Sequence, residues 1–436
     1  MSRKESKAMA ETKQDQLAPG TQIATKSGTM VTILKFLGGG GQGTVYEVDY
    51  GGVKKALKWY KELGTDPEAF RKNLEENIAQ GPPTPAFLWP EDITVWKNGT
   101  YGYVMELKPE GYYEIAEFLI AKVKADWKRL VDASMNIVTA FRILHNRGYS
   151  YQDLNDKNFF VNPQTGDVKI ADNDNVAPFG KNMGIMGKPR YIAPEVVVGE
   201  NLPNTASDRY SLALVLFLLL LRGHPLDGKI PIMTSDTVAR KIYGEEPVFI
   251  FDPTDDSNRP NEKVHSGVIE LWNCIPQYMK DLFIRAFSHD SLKKKHRVVE
   301  LEWLRALTRF RSDIVRCSCG NDVFTENARD ICCDSCGRKL LFKNKIHLPE
   351  YSIPAVPDSR IYRVQLGTVN PEDALKPVGI VIRSTDPNVV LLRNSSDITW
   401  NCITSKGASR ILRRTEAAPV KAGIKMKVYD ADIELE

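Results

Sequence analysis

The chain has 436 residues, with 59 Lys and Arg against 55 Asp and Glu, for a formal net charge of +4. A charge this nearly balanced gives no argument for nucleic acid or an anionic membrane as partner, and neither is expected; the length allows about two to four domains with ample core. Residues 1–22 are polar and charge-mixed and lack the apolar core of a signal peptide, so a disordered tail and a cytoplasmic location are expected.

The first element is a strand over Val31–Leu37, followed by Leu37-Gly38-Gly39-Gly40-Gly41-Gln42-Gly43-Thr44-Val45. Gly38, Gly40, Gly43 and Val45 fit G-x-G-x-x-G-x-V. Glycine lets a backbone approach phosphate with no Cβ in the way. Thr44–Val48 reads as the hairpin partner; a dinucleotide fold or a Walker loop would need a helix there instead. In Ala56-Leu57-Lys58, Lys58 is the candidate partner of the α- and β-phosphates. A helix over 67–80 carries Phe70, Leu74 and Ile78 on one face. It is expected to supply the glutamate that orients Lys58. Glu75 and Glu76 compete, and Glu75, three residues before Ile78, lies on the inward-leaning side. Tyr103-Val104-Met105-Glu106-Leu107 reads as a strand entering a hinge, where Met105, Glu106 and Leu107 would border adenine.

Tyr151-Gln152-Asp153-Leu154-Asn155-Asp156-Lys157-Asn158 and Val168-Lys169-Ile170-Ala171-Asp172 follow. Phosphoryl transfer needs this order of groups: Asp153 to orient a hydroxyl nucleophile, Asn158 and Asp172 to hold Mg²⁺ on the β- and γ-phosphates of ATP. Ala193-Pro194-Glu195 comes next, then Ser207-Asp208-Arg209. The apolar run Leu212–Leu221 falls far short of the ~18 residues of a membrane span and reads as a helix buried on all sides.

With these motifs in this order, residues 25–312 resemble the protein kinase superfamily. The resemblance implies a bilobal α+β fold, with an N-lobe over 23–107 and a C-lobe over 108–312. It also implies that Asp208 anchors the catalytic loop, that Glu195 pairs with Arg297, and that a protein Ser or Thr is the acceptor. Several positions depart from the usual pattern. Gln152 replaces the Arg that reads a phosphate on the activation loop, and residues 173–190 hold no Ser, Thr or Tyr. Activation is therefore expected not to need phosphorylation of that loop, which would be held by its own packing, through Met183, Ile185 and Met186, or by a partner protein. Autophosphorylation would fall on Ser2, Ser6, Thr12 or Thr21. Asn173-Asp174 replaces Phe-Gly. Asn155 replaces a Lys, and Lys157 would supply that charge to catalysis. The alternative is a catalytically weak scaffold, a pseudokinase.

Asn77-Ile78, Ala86-Phe87-Leu88-Trp89-Pro90, Gly223-His224-Pro225-Leu226-Asp227-Gly228, Val248–Pro253 and Trp272–Pro276 resemble a narrower bacterial group. That kinase belongs to the TerY-type triad linked to tellurite resistance. The resemblance implies a von Willebrand A protein and a metal-dependent phosphatase as partners.

Five of the seven cysteines lie between Cys317 and Cys336. Cys317-x-Cys319-Gly and Cys333-x-x-Cys336-Gly suit a closed, structural Zn²⁺ site with four thiolates. Cys332 competes with Cys333, and spacing favours Cys333. A zinc ribbon is expected over 313–345. Past it, over 355–436, stretches 361–366, 378–382, 389–393, 409–413 and 425–429 read as short strands of a small β-sandwich. This region loosely resembles the later half of a forkhead-associated domain, without its phosphothreonine signature.

Overall fold

The computed structural model describes residues 16–182, 184, 186–229, 235–292, 296–326 and 330–436. Ser2, Ser6, Thr12, Met183 and Ile185 lie outside them. The first half is built on a six-stranded antiparallel sheet, β1 (Gln22–Ala24), β2 (Met30–Gly39), β3 (Gly43–Tyr50), β4 (Val53–Tyr60), β5 (Pro90–Ile93) and β6 (Gly102–Met105), in the order β1-β2-β3-β4-β6-β5. Side chains alternate across a strand, so β4 sends Leu57 and Trp59 into one core, with Val31, Tyr46 and Val104. Ala56 and Tyr60 enter a second core, with Phe70, Leu74, Tyr103 and Met105. Helix α1 (Pro67–Gln80) covers this second face. Asp66 caps it by accepting from the Ala69 amide, Pro67 opens its first turn, and Gly81 (φ 73°) ends it, each a known start or stop device.

The second half is helical. α2 (Trp127–Asn146), α3 (Thr205–Leu221) and α4 (Glu300–Asp313) share one core. From Tyr210 to Leu221 no residue is more than 4% exposed, so the apolar run is the axis of this half. Among the described residues no helix is long and apolar enough to cross a membrane. Between the halves lies a hairpin, β7 (Phe159–Val161) and β8 (Val168–Ile170). Ile170 fastens it to the first half, donating to Ala86 O and accepting from Leu88 N, both at 2.8 Å.

Beyond α4 two short ribbons pair Ile314–Arg316 with Asp322–Phe324 and Asp330–Cys332 with Lys339–Leu341. Two antiparallel sheets of six and four strands follow, and residues from both fill one core around Trp400, Leu392, Met426 and Ile433. This unit begins earlier than residue 355. Strand Lys345–His347 pairs with both Ser352–Pro354 and Ala431–Leu435. Stretch 361–366 is also not one strand. Strand Arg360–Tyr362 turns into a 3₁₀ segment at Arg363–Leu366, because the Gln365 side chain folds back to accept the Tyr362 amide at 2.6 Å.

Both C-terminal units pack on the helical half. Phe324 meets Trp127 edge-on at 5.3 Å, and Arg316 pairs with Asp126 at 2.5 Å. Tyr362, Val364 and Ala374 are buried in the helical core itself. Arg309 lies against both Tyr278 and Tyr351, and Arg142 donates to Val369 O at 2.9 Å.

Candidate active site

The cleft between the halves collects most of the residues singled out above. Asp208, near the start of α3 and 1% exposed, accepts the amides of Tyr151 at 2.6 Å and Gln152 at 3.0 Å. These charge-assisted bonds hold Gln152 at φ 74°, a left-handed backbone that costs about 1–3 kcal/mol in a non-glycine residue. His145 stands behind them, 3.2 Å from Asp208 and 2.7 Å from Glu300. Burial disfavours its charge, but its bonds to the two carboxylates win and raise its pKa to about 9. The loop carrying Asp153 is thus tied through a buried ionic chain to α2, α3 and α4.

Asn158 donates to the Asp153 carbonyl at 2.8 Å, which leaves its amide oxygen available to a cation. Its carbonyl takes the Ala171 amide at 2.9 Å, placing Asp172 beside it. Asp172 has φ 52°, and its side chain is 36% exposed. An oxygen-only pair of this kind suits Mg²⁺, which keeps several waters and takes one or two carboxylates. Burial, and then the charge of Asp172, push the Asp153 carboxyl up to about 6. The charges of Lys188, and then of Lys58, pull it back down. Lys157 is exposed and its charge acts instead on Glu114. Gly187 (φ 76°) lies against the Asp153 carboxylate, where a Cβ would sit 3.4 Å from Asp153 Oδ1 and 2.5 Å from Ile192 Cγ2.

Of the loop glycines, Gly43 is the one a side chain would displace, since a Cβ would meet Trp59 O at 2.5 Å. Gly38 and Gly40 face open space. Val45 lies opposite Lys58 in the β3–β4 register. Met105 is buried beside Ala56, Glu106 is exposed, and Leu107 packs at the edge of the second core. The Glu195 carboxylate takes Arg297 Nη2 at 2.8 Å, with both side chains buried.

The expectation for Glu75 is corrected. It binds Lys26 at 2.7 Å and Arg71 at 3.3 Å, while Glu76 is exposed. The inward residues of α1 are Phe70, Asn73, Leu74 and Asn77, and both asparagines donate to the Val176 carbonyl. Lys58 instead meets Asp174 at 2.9 Å and Asp172 at 3.3 Å. Burial opposes its charge, and these carboxylates more than restore it. Gln42 Oε1 is 3.3 Å from the same ammonium. The packing role expected of Met186 is also corrected, since it is 37% exposed. The loop after Asp172 is held by Gln152, which donates to Lys181 O at 2.7 Å and accepts from Asn182 Nδ2 at 2.7 Å.

In the ribbons, the Sγ atoms of Cys317, Cys319, Cys333 and Cys336 all lie within 4.8 Å of one another. Cys317 and Cys336 are 3.8 Å apart, and Cys319 and Cys333 are 3.6 Å apart. A disulfide needs ~2.05 Å, whereas the edge of a zinc tetrahedron with ~2.3 Å bonds is about 3.8 Å. The four thiols therefore fit Zn²⁺. Cys332 is exposed on its strand, outside the cluster.

A family model described as the protein kinase domain matches residues 31–292, more than half of the chain. Among curated proteins, the chain is 29% identical over 217 residues to the probable serine/threonine-protein kinase zyg-1 of Caenorhabditis briggsae, covering 46% of this chain and 28% of that protein. It is 31% identical over 115 residues to the cD5/T2 forms of Drosophila melanogaster cGMP-dependent protein kinase isozyme 2, covering 24% of this chain and 12% of that one. It therefore spans less than a third of the length of these relatives.

Proposed function

The chain belongs to the protein kinase domain family, and on that premise we propose that it transfers the γ-phosphate of ATP to a Ser or Thr hydroxyl of a partner protein or of itself. The observation that carries this is the convergence of Asp153, Asn158, Asp172 and Lys58 on one cleft, with the catalytic loop pinned by Asp208. Asp153 accepts the hydrogen bond of the incoming hydroxyl and orients it. Asn158 and Asp172 hold Mg²⁺, which when bound neutralises charge on the phosphates. Lys58 offers its ammonium to the non-transferred phosphates, and the glycine loop closes over them.

The finer assignment, to the kinase of the bacterial TerY-type triad, rests on the narrower resemblance. It names a von Willebrand A protein and a metal-dependent phosphatase as partners. Residues that carry it form one aromatic cluster, where Phe251 stacks on Trp272 at 4.4 Å and Phe249 meets the same ring at 5.8 Å. The four-cysteine cluster holds structural Zn²⁺. A second reading, a kinase-fold scaffold, is favoured by Gln42, whose amide oxygen stands at Lys58 where a phosphate oxygen would go.

Incubation with γ-labelled Mg²⁺·ATP and a mixture of candidate proteins, followed by phosphoamino-acid analysis, separates the two. Label on Ser or Thr is expected. Nucleotide binding with no label on any protein, with or without the two partners, would establish the scaffold.

A further inference from the structure

We propose that Asp174 is the positioning carboxylate for Lys58, the role that the sequence pattern leads one to seek on helix α1; this rests on the phosphotransfer reading. Asp174 is fully buried and takes the Lys58 ammonium on both oxygens, at 3.1 and 2.9 Å. The Tyr60 hydroxyl donates to it at 2.7 Å, and Tyr103 approaches at 3.4 Å. These donors share one face of the sheet. Lys58 and Tyr60 are two residues apart on β4, hence on the same side, and Tyr103 is the direct partner of Lys58 on β6. A buried carboxylate with three donors is a built site, since an unpaired one at that depth would be strongly unfavourable.

Helix α1 offers no competitor. Its buried side chains are Phe70, Asn73, Leu74 and Asn77, and none is charged. Its role is indirect. Asn73 and Asn77 hold the Val176 carbonyl at 2.9 and 2.8 Å, and Val176 directly follows the 3₁₀ turn Asn173–Asn175 that carries Asp174. One short turn thus sets both the metal-binding carboxylate, Asp172, and the carboxylate that aims Lys58. In this arrangement Lys58 is aligned by the sheet and by that turn, and α1 reaches it through two neutral amides and the packing of Phe70 on Tyr60, with no charge of its own.

The test measures Mg²⁺·ATP affinity, kcat and KM separately in the full chain. Asp174→Asn is expected to weaken nucleotide affinity and lower kcat by roughly 10- to 100-fold, the ratio that matches loss of a hydrogen bond to a charged group. Tyr60→Phe keeps the carboxylate and removes one donor. It is expected to move both in the same direction by roughly threefold to tenfold, and it decides the matter should Asp174→Asn fail to fold. Asp174→Glu is expected to recover part of the affinity lost in Asp174→Asn. A loss in Glu75→Gln as large as in Asp174→Asn would overturn the inference, as would wild-type affinity and turnover in both Asp174→Asn and Tyr60→Phe. Affinity that depends on Asp174 in a protein showing no transfer would leave the inference standing and defeat the phosphotransfer reading alone.

Discussion

Gln152 shows how one residue can tie down a loop. An Arg at this position would present a fork to a phosphate. Gln152 instead spends both ends of its amide on the loop itself, at Lys181 O and Asn182 Nδ2, with Ser150 Oγ as a further acceptor at 2.8 Å. The bonds are already complete without a modification. Gln152→Leu should lower transfer by about tenfold, in proportion to the loss of buried amide bonds, while phosphatase treatment of the wild type should leave its rate unchanged. Activity that vanishes on dephosphorylation of Tyr191, the first hydroxyl-bearing residue after residues 173–190, would contradict this. The spacing of Asp153, Asn158 and Asp172 made their meeting in one cleft legible in the sequence, because a short loop and a hairpin leave few ways to arrange them. Asp174 was not legible. Apolar periodicity put Phe70, Leu74 and Ile78 inward, yet Asn73 and Asn77 are only 4% and 1% exposed. Polar residues hold the middle of the buried face, so a pattern built on apolar residues rotated the helix and turned Glu75 inward.

At the level of elements, the cysteine ribbons are arranged as a four-thiolate metal site would be. Each knuckle is shaped by backbone bonds, Gly320 N to Cys317 O at 2.9 Å and Gly337 N to Cys333 O at 2.7 Å, with both glycines at positive φ. The core they enclose is small, chiefly Val315, Val323 and Phe342. A core this size does not hold two such short hairpins together unaided, so a metal bound there would supply folding energy. The purified protein should contain about one zinc per chain, the stoichiometry of a single four-thiolate site. Cys333→Ser should release it and lower the melting temperature, and Cys332→Ser should do neither. Zinc-free protein of unchanged thermal stability would refute the site. The CxC and CxxC spacings made this cluster readable. The very short strands beyond it were less so, since three residues, as in Lys345–His347 or Ala417–Pro419, are too few to show alternation.

Across the whole molecule, the C-terminal sheets and the helical half share a core. Val364 is 1% exposed and Ala374 0%, both within the cluster built on α2, α3 and α4. No periodicity in the sequence announces this, because contact between distant units leaves no local pattern. Val364→Asp would place an unpaired charge in that core, which is strongly destabilising. It should therefore lower the temperature at which nucleotide binding is lost, although Val364 is remote from the cleft. Separate melting of the two regions, with the nucleotide-binding one unaffected by Val364→Asp, would show that the contact carries no energy.

Phosphate transfer from labelled Mg²⁺·ATP, measured beside nucleotide affinity for Asp153→Asn and Asp172→Asn, tests the phosphotransfer reading most directly. Asp153→Asn should lose transfer by at least about 100-fold, the lower range for removal of a positioned acid–base group, while binding nucleotide nearly as the wild type does. Asp172→Asn should lose the Mg²⁺-dependent part of the affinity itself. If both variants phosphorylate partner proteins at the wild-type rate, the cleft is not a phosphotransfer site.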